Sequence, residues 1–275
     1  MGWGRTRTSL GNVLRLLDAR TGSYAEVSPA RPGLLRVCAH VPETAGNSAV
    51  AGLRALLVAD LLARAAELGN LQVLTALVSD NPSGPASALE RAAGALGIHP
   101  PAARAGPGDT RALPGGPVDV HMVGHGAAAD DRQTGLVVRV GDARMRRAGD
   151  RGEERGDLLA GHEHDPLAVR LALMSFPIGQ PADLTDSVLT GAYQTAGDWR
   201  RRVARWAERP SRPIPARLAQ TVRGAFDDLD TPSAIALLCG LADDDGVPEG
   251  AKFETFLYVD RVLGLDLPRD IGKPG

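Results

Sequence analysis

Side chains suited to metal binding or proton transfer occur near the ends of two apolar runs of strand length: Cys38, His40, His121 and His125. The first run covers residues 34–38 and the second covers residues 118–123. If both are strands of one parallel sheet, these side chains lie at its carboxyl edge, where such sheets bind ligands. We therefore expect a small-molecule pocket there, with Gly124 in its wall. The alternatives are a buried, inert thiol for Cys38 and an ordinary loop histidine for His40.

A second set of candidates is a basic segment that follows the apolar residues 137–140: Arg144, Met145, Arg146 and Arg147. Guanidinium groups bind phosphate and carboxylate oxygens in a forked geometry, so a loop here could close over an anionic ligand. A solvated basic loop explains the same residues equally well. Both interpretations predict a loop.

Two further polar clusters have a simpler explanation than a binding site. A His-Glu-His tripeptide at residues 162–164 could present both imidazoles to one metal ion, but we favour a solvated loop. The arginines at 200–202, with Arg205, could contact an RNA backbone, but the neighbouring Asp198 favours a solvated helix face.

The order of the predicted elements explains why the pocket residues should converge. A strand at 34–38, a helix at 49–68 and an apolar run at 71–78 form a βαβ unit, which places the two strands parallel. A helix, a Pro- and Gly-rich loop, a strand and a short strand follow at 85–96, 99–117, 118–123 and 137–140. This pattern predicts an α/β fold with a Rossmann-like parallel sheet.

The chain changes character near residue 165, where helical periodicity takes over. The predicted helices cover residues 166–174, 185–207, 216–228, 232–243 and 252–264. Thr231 is the expected N-cap of the fourth of them. We therefore divide the chain into a Rossmann-like domain at 1–164 and an all-helical domain at 165–275.

Composition limits the functional classes. The net charge is −2, which gives no overall attraction to nucleic acid, and the chain has two cysteines, too few for a disulfide framework. The N-terminus does not read as a signal peptide, and the apolar runs are too short to cross a membrane. We expect a cytoplasmic protein with reduced thiols.

Eight segments, in order along the chain, form a recognisable set: residues 14–18, 21–22, 31–33, 36–38, 60–62, 78–81, 96–101 and 226–232. They include Arg36-Val37-Cys38, then Leu96-Gly97-Ile98-His99-Pro100-Pro101, then Asp227-Asp228-Leu229-Asp230-Thr231-Pro232. The set resembles the catalytic half of cysteinyl-tRNA synthetases, which are class I aminoacyl-tRNA synthetases. It is also similar to the cysteine ligases of the mycothiol pathway. The resemblance implies a class I synthetase catalytic fold followed by a helical domain, without a counterpart of the anticodon-binding domain.

The chain departs from the family at its catalytic signatures. The family has His-Ile-Gly-His at the start of the first helix, whereas residues 47–54 contain no histidine and keep only the arginine after it, Arg54. The Lys-Met-Ser-Lys-Ser signature resembles residues 144–148, with arginine for each lysine and no serine. The family's zinc site shares Cys38, but its second cysteine has no match here. We therefore expect no zinc and no other metal.

The strand end at 119–125 resembles the family's adenosine-contacting Asp-Ile-His-Gly-Gly-Gly, with two glycines replaced by Met122 and Val123. These side chains should crowd the nucleotide, so ATP with Mg²⁺ is left open as a cofactor and no cofactor is assigned. The expected function is binding of a nucleotide or an amino-acid-like ligand, or a regulatory role with a protein partner, without charging tRNA. The alternative is an ATP-dependent ligase that passes an amino acid to a small amine, a thiol or a carrier protein. Catalytic residues are not assigned.

Overall fold

The structure is a computed structural model that describes residues 14–41, 47–79, 88–109, 116–127, 134–146 and 165–273. The strands within these ranges are β1 Arg15–Asp18, β2 Ser23–Glu26, β3 Leu34–His40, β4 Gln72–Val78, β5 Ala103–Ala105, β6 Val120–Val123, β7 Leu136–Arg139, β8 Ala143–Arg146 and β9 Ala182–Thr185. The helices are α1 Asn47–Leu68, α2 Ala88–Ala95, α3 Pro166–Met174, α4 Asp186–Trp206, α5 Ala216–Asp227, α6 Thr231–Asp243 and α7 Glu249–Leu263. A short 3₁₀ turn follows at Leu267–Asp270.

A five-stranded parallel sheet forms the centre of the first half, with the order β5-β4-β3-β6-β7. The chain moves outward from β3 through β4 to β5, then returns to the other side of β3 for β6 and β7. This reversal is the mark of a doubly wound Rossmann-type sheet. The predicted α/β fold with a parallel sheet is therefore confirmed.

Helix α1 covers one face of this sheet and is the predicted helix at 49–68, extended by two residues at its start. It packs against β3, β4, β6 and β8. The helix ends as the sequence predicts, but Asn70 rather than Gly69 takes the left-handed conformation, with φ of 61°. The Leu71 N–H then bonds the Ala66 carbonyl at 3.1 Å, which closes the last turn.

Alternate residues of β3 point to two different environments, because side chains of a strand alternate between the faces of its sheet. Val37 and Ala39 belong to the main core, together with the apolar side of α1. Cys38 belongs to a separate small cluster with Ala76, Val78, Ala105 and Val118. The sheet therefore has a large apolar face under α1 and a second face whose apolar cluster is small.

The second half is helical, and the five helices predicted there are confirmed to within three residues at each end. Phe256 of α7 packs edge-on against Trp199 and Trp206 of α4, with ring centroids 5.7 and 5.1 Å apart. The expected cap of α6 was wrong by one residue. Asp230 accepts from the Ser233 N–H at 3.2 Å, while the Thr231 hydroxyl donates to the Met174 carbonyl at 2.8 Å.

Five short strands were missed: β1, β2, β5, β8 and β9. β1 and β2 form an antiparallel hairpin beside β7, with the Ala19 N–H bonded to the Val137 carbonyl at 2.7 Å. β5 lies inside the segment read as a loop at 99–117. The expected Arg-rich loop is also wrong in part, because Ala143–Arg146 is strand β8.

β8 pairs in parallel with β9, a strand that lies among the helices of the second half. The two halves are thus joined by a strand pair, and the domain boundary near residue 164 stays a prediction. Across the parts of the chain described, no helix is long and apolar enough to span a lipid bilayer.

Candidate functional site

The reversal of strand order places β3 and β6 side by side at the point where doubly wound sheets bind ligands. Cys38 pairs in register with His121, and His40 pairs with Val123 two positions further on. Because residues 38 and 40 share one face of β3 and register partners share that face, Cys38, His40 and His121 project to the same side. The structure therefore brings together three of the predicted pocket residues.

The two histidines form a hydrogen-bonded chain. His40 Nε2 lies 2.9 Å from His121 Nδ1, and His121 Nε2 lies 3.0 Å from the carbonyl oxygen of Thr134. A carbonyl oxygen can only accept, so His121 carries its proton on Nε2 and its Nδ1 is the acceptor. His40 must then donate from Nε2, which fixes the tautomers of both rings.

Burial keeps all three side chains of this cluster neutral near pH 7. Desolvation, helped by the neighbouring His121, lowers the pKa of His40 to about 4. Burial also lowers the pKa of His121 against the opposing hydrogen bond to Thr134, and Arg20 lowers it further. Burial raises the pKa of the Cys38 thiol to about 12. A thiolate–imidazolium pair is therefore not formed, so Cys38 lacks the activation that a cysteine nucleophile needs.

The same three residues also offer a set of metal donors. The Cys38 sulfur and one ring nitrogen from each histidine all lie within 4.8 Å of one another. Cys38, His40 and His121 are 0%, 3% and 1% exposed. The sequence analysis left His40 either in the pocket or in an ordinary loop after a strand ending at residue 38, whereas the structure extends β3 to His40 and buries its side chain. Only the pairing of β3 with β6 reveals the cluster, because His121 is 81 positions away along the chain.

Gly124 and His125 follow directly after β6. Gly124 is buried against α1, where an added Cβ would lie 3.1 Å from the His40 carbonyl oxygen and 3.2 Å from the Ala55 Cβ. His125 is exposed on the turn and is not one of the clustered donors. Met122, one of the residues that replace family glycines, is fully buried in the core on the α1 side. The strand end is therefore packed tightly against α1.

Arg54 of α1, carried over from the first signature, points into the protein and is 1% exposed. Its guanidinium donates to five backbone carbonyls, those of Gly141, Asp142, Phe176, Pro177 and Gln180. Burial lowers its pKa to about 10, although Asp142 opposes the shift, so the group stays charged at neutral pH. The guanidinium therefore binds backbone carbonyls of the connection between β7 and β8 and of the segment before β9, and it stabilises both.

The predicted anion-binding arginines lie on β8 and make ion pairs. Arg144 Nε lies 2.6 Å from Asp142 Oδ2, and Arg146 Nε lies 3.2 Å from Asp183 Oδ1 on β9. Met145, between them, packs against the main core. Alternation of side chains along a strand explains this pattern of outward, inward and outward residues. Arg147 lies outside the described residues.

The other polar candidates are also placed by the structure. Arg200 is not a solvated residue, because it is buried and contacts Asp165 and the Leu265 carbonyl. Arg202 bonds Asp198 at 2.6 Å, and Arg205 is exposed. The His-Glu-His tripeptide at 162–164 lies outside the described residues.

A separate groove of about 580 Å³ lies in the helical half, between the segment before α5 and the side of α7. Its walls include Arg212, Ile214, Glu254, Tyr258 and Arg261. None of the predicted pocket residues lines it. The sheet edge remains the candidate site, because its residues combine burial, polar contacts and a position at the strand reversal.

No protein-family model matches the chain. Parts of it are similar to proteins named L-cysteine:1D-myo-inositol 2-amino-2-deoxy-α-D-glucopyranoside ligase. The protein from Thermobispora bispora is 38% identical over 107 residues, covering 38% of this chain and 26% of the relative. The one from Geodermatophilus obscurus is 35% identical over 126 residues, covering 42% and 29%. The one from Nocardiopsis dassonvillei is 29% identical over 172 residues, covering 59% and 37%.

The chain thus spans well under two-thirds of the length of these relatives. The similarity supports the predicted kinship with synthetase-like cysteine ligases and extends over part of the chain. The chain therefore has homologues among ligases that carry this name.

Proposed function

We propose that this protein is a synthetase-related binding protein that holds an amino-acid-like ligand at the carboxyl edge of its sheet and does not activate it with ATP. The observation that carries the proposal is that the arginines in the segments resembling the catalytic signatures already have partners within the protein. Arg54 is occupied by five backbone carbonyls, and Arg144 and Arg146 are paired with acidic side chains.

Adenylate formation needs preorganised positive charge or donors at the phosphates, which supply most of the rate enhancement in such reactions. In this chain no histidine occurs between His40 and His99, so the stretch aligned with the first signature has none. The buried arginine that remains there already donates to five backbone carbonyls. A ligand at this edge would instead meet neutral sulfur and imidazole groups on β3 and β6.

Pyrophosphate exchange tests the proposal directly. The full chain is assayed with ATP, Mg²⁺ and each amino acid in turn, cysteine included, and the Thermobispora bispora ligase serves as positive control. We expect no exchange above the protein-free blank. Calorimetry with the same amino acids should show binding that is weakened by His121→Gln and unchanged by His99→Gln, a histidine outside the cluster. Exchange that depends on one amino acid would overturn the proposal.

The alternative is a ligase that activates an amino acid and transfers it to a small amine, a thiol or a carrier protein. The similarity to named L-cysteine ligases favours it. Cysteine-dependent exchange that falls when Arg144 and Arg146 are both changed to Ala would support this alternative. Binding of tRNA is not part of either proposal, and a net charge of −2 offers no support for it.

A further inference from the structure

We propose that Cys38, His40 and His121 form a binding site for a single transition-metal ion, with Zn²⁺ as the ion that the donors fit best. The three donor atoms come from one face of two adjacent strands and lie within 4.8 Å of one another. This inference goes beyond the proposed function, which needs no metal. The metal assays below use neither an amino acid nor ATP, so failure of one proposal does not decide the other.

The geometry is close to that of a tetrahedral zinc site. With Zn–N of about 2.05 Å and Zn–S of about 2.3 Å, tetrahedral angles place two nitrogens about 3.3 Å apart and a sulfur about 3.6 Å from each nitrogen. The nitrogens of His40 and His121 that face each other are 2.9 Å apart. To bind one ion, these two nitrogens must therefore separate by about 0.4 Å, and the Cys38 sulfur must lie about 3.6 Å from each of them, which falls within the 4.8 Å that contains all three donor atoms.

The surroundings of His121 already match those of a metal ligand. Its Nε2–H bonds the Thr134 carbonyl at 3.0 Å, which orients the ring and leaves the lone pair of Nδ1 free to bind. Metal-bound histidines usually donate their second ring N–H to an acceptor in this way. In the present structure the Nδ1 lone pair accepts a hydrogen bond from the His40 Nε2–H. A metal ion would lie between the two nitrogens in place of this hydrogen bond, and the His40 proton would move to its Nδ1.

The proton balance of binding is simple. The Cys38 thiol loses its proton to the solvent and binds as a thiolate. His40 stays neutral by carrying its proton on the ring nitrogen that does not bind the metal, and His121 keeps its proton on Nε2. One proton is released for each metal ion bound.

The donor types select the metal and leave one position open. One thiolate and two imidazoles suit Zn²⁺, and a fourth tetrahedral position remains for water or a small ligand. This donor set is not the one that the synthetase resemblance implies, since it shares only Cys38 with that set. Within the described residues, Cys38, His40 and His121 form a cluster of three side chains that could bind one metal ion. Zinc was not expected from the sequence, because Cys38 has no second cysteine beside it and the two imidazoles meet it only in the folded sheet.

Cobalt(II) titration of the tag-free, full-length protein tests the site. We expect one Co²⁺ per chain, a sulfur-to-cobalt charge-transfer band in the near ultraviolet, visible bands of tetrahedral cobalt, and loss of both spectra when Zn²⁺ is added. The chain has two cysteines, and Cys239 on α6 is exposed. Cys239→Ser is therefore the matched control and should keep the full spectrum.

The ligand variants should separate a metal site from a hydrogen-bonded pair. Cys38→Ser should lose the charge-transfer band, and His40→Gln and His121→Gln should each weaken Co²⁺ binding by at least about tenfold. Circular dichroism checks that each variant folds. If a variant does not fold, the spectra of the wild type and Cys239→Ser still decide, since a band kept in Cys239→Ser comes from Cys38. A wild-type spectrum with no charge-transfer band, or a band lost in Cys239→Ser, would overturn the proposal.

Discussion

The buried carboxylate of Asp60 on α1 accepts hydrogen bonds from residues in three segments of the chain. Arg64 Nε and Arg170 Nη2 reach one carboxylate oxygen at 2.8 and 2.7 Å, and His99 reaches the other through its backbone N–H and Nδ1. The Arg170 and Asp60 side chains are 0% and 1% exposed. Removing the carboxylate charge would leave the Arg170 guanidinium buried without its partner.

We therefore predict that Asp60→Asn lowers the free energy of unfolding by about 3–5 kcal/mol, the cost of breaking a buried ion pair by removing one partner. Urea unfolding followed by tryptophan fluorescence measures the change. Asp198→Asn is the control, because Asp198 pairs with Arg202 while 42% exposed and should cost less than about 1 kcal/mol. Equal costs for the two substitutions would contradict this account.

The same prediction has a pH dependence. Burial alone would raise the pKa of the Asp60 carboxyl, but Arg170, Arg64 and the His99 N–H outweigh burial and hold the pKa below its usual value. The ionised group therefore stabilises the fold fully above the unfolded pKa of about 3.9 and loses this effect as the pH falls through the folded pKa. The stability difference between wild type and Asp60→Asn should be constant above about pH 5 and should narrow in acid. If the difference widened in acid, the folded-state pKa of Asp60 would be raised rather than lowered, which would contradict the prediction.

Single residues also show how far the sequence could predict the site. Cys38 is a buried strand residue, which was the plainer of its two interpretations. His40 and His121 were both candidates, but nothing local in the sequence could pair them, since their contact depends on which strands become neighbours. Arg54 was a candidate ligand-binding residue because it follows the stretch that resembles a catalytic signature. Its five carbonyl partners come from residues 141–180, which lie far from it in sequence.

At the scale of elements, long periodic segments were predictable and short polar strands were not. α4 to α7 follow their apolar periodicity closely, because each buries one face in a helical core. β8 has the sequence Ala-Arg-Met-Arg, and its two exposed arginines make the segment look like a polar loop although Met145 points inward. β9 has four residues and β5 has three, and their pairing with distant strands outweighs their weak local preference.

Gly141, between β7 and β8, packs closely against the segment that leads into β9. Its N–H bonds the Ile178 carbonyl at 2.8 Å, and a Cβ at this position would overlap the Gln180 carbonyl. We predict that Gly141→Ala costs about 1–3 kcal/mol, because backbone must move to relieve the overlap. Gly179→Ala is the matched control, since no atom lies within 4 Å of its added Cβ. Chemical unfolding measures both, and equal stability of the two variants would refute the contact.

At the scale of the whole molecule, buried arginines join the sheet to the helices. Arg54 of α1 bonds the carbonyls of Phe176 and Pro177 just after α3, and Arg170 of α3 bonds Asp60 of α1 and the Leu263 carbonyl of α7. Two of the connections start from α1, the helix that also covers the sheet. The two halves therefore share one buried polar network, which predicts that they unfold together.

Two probes can test this coupling independently. In a Cys239→Ser background, a brief pulse of a thiol reagent reports the exposure of Cys38 in the sheet, while fluorescence reports the buried Trp199 and Trp206 of α4. We predict one urea midpoint for both probes.

Arg54→Met should shift both midpoints together and lower the free energy of unfolding by at least about 2 kcal/mol, because it leaves buried carbonyls without donors. Arg205→Met, on the exposed side of α4, should change stability by less than about 0.5 kcal/mol. Exposure of Cys38 at a lower urea concentration than the tryptophan transition would mean that the sheet and the helices unfold separately, and that the arginine contacts do not couple them.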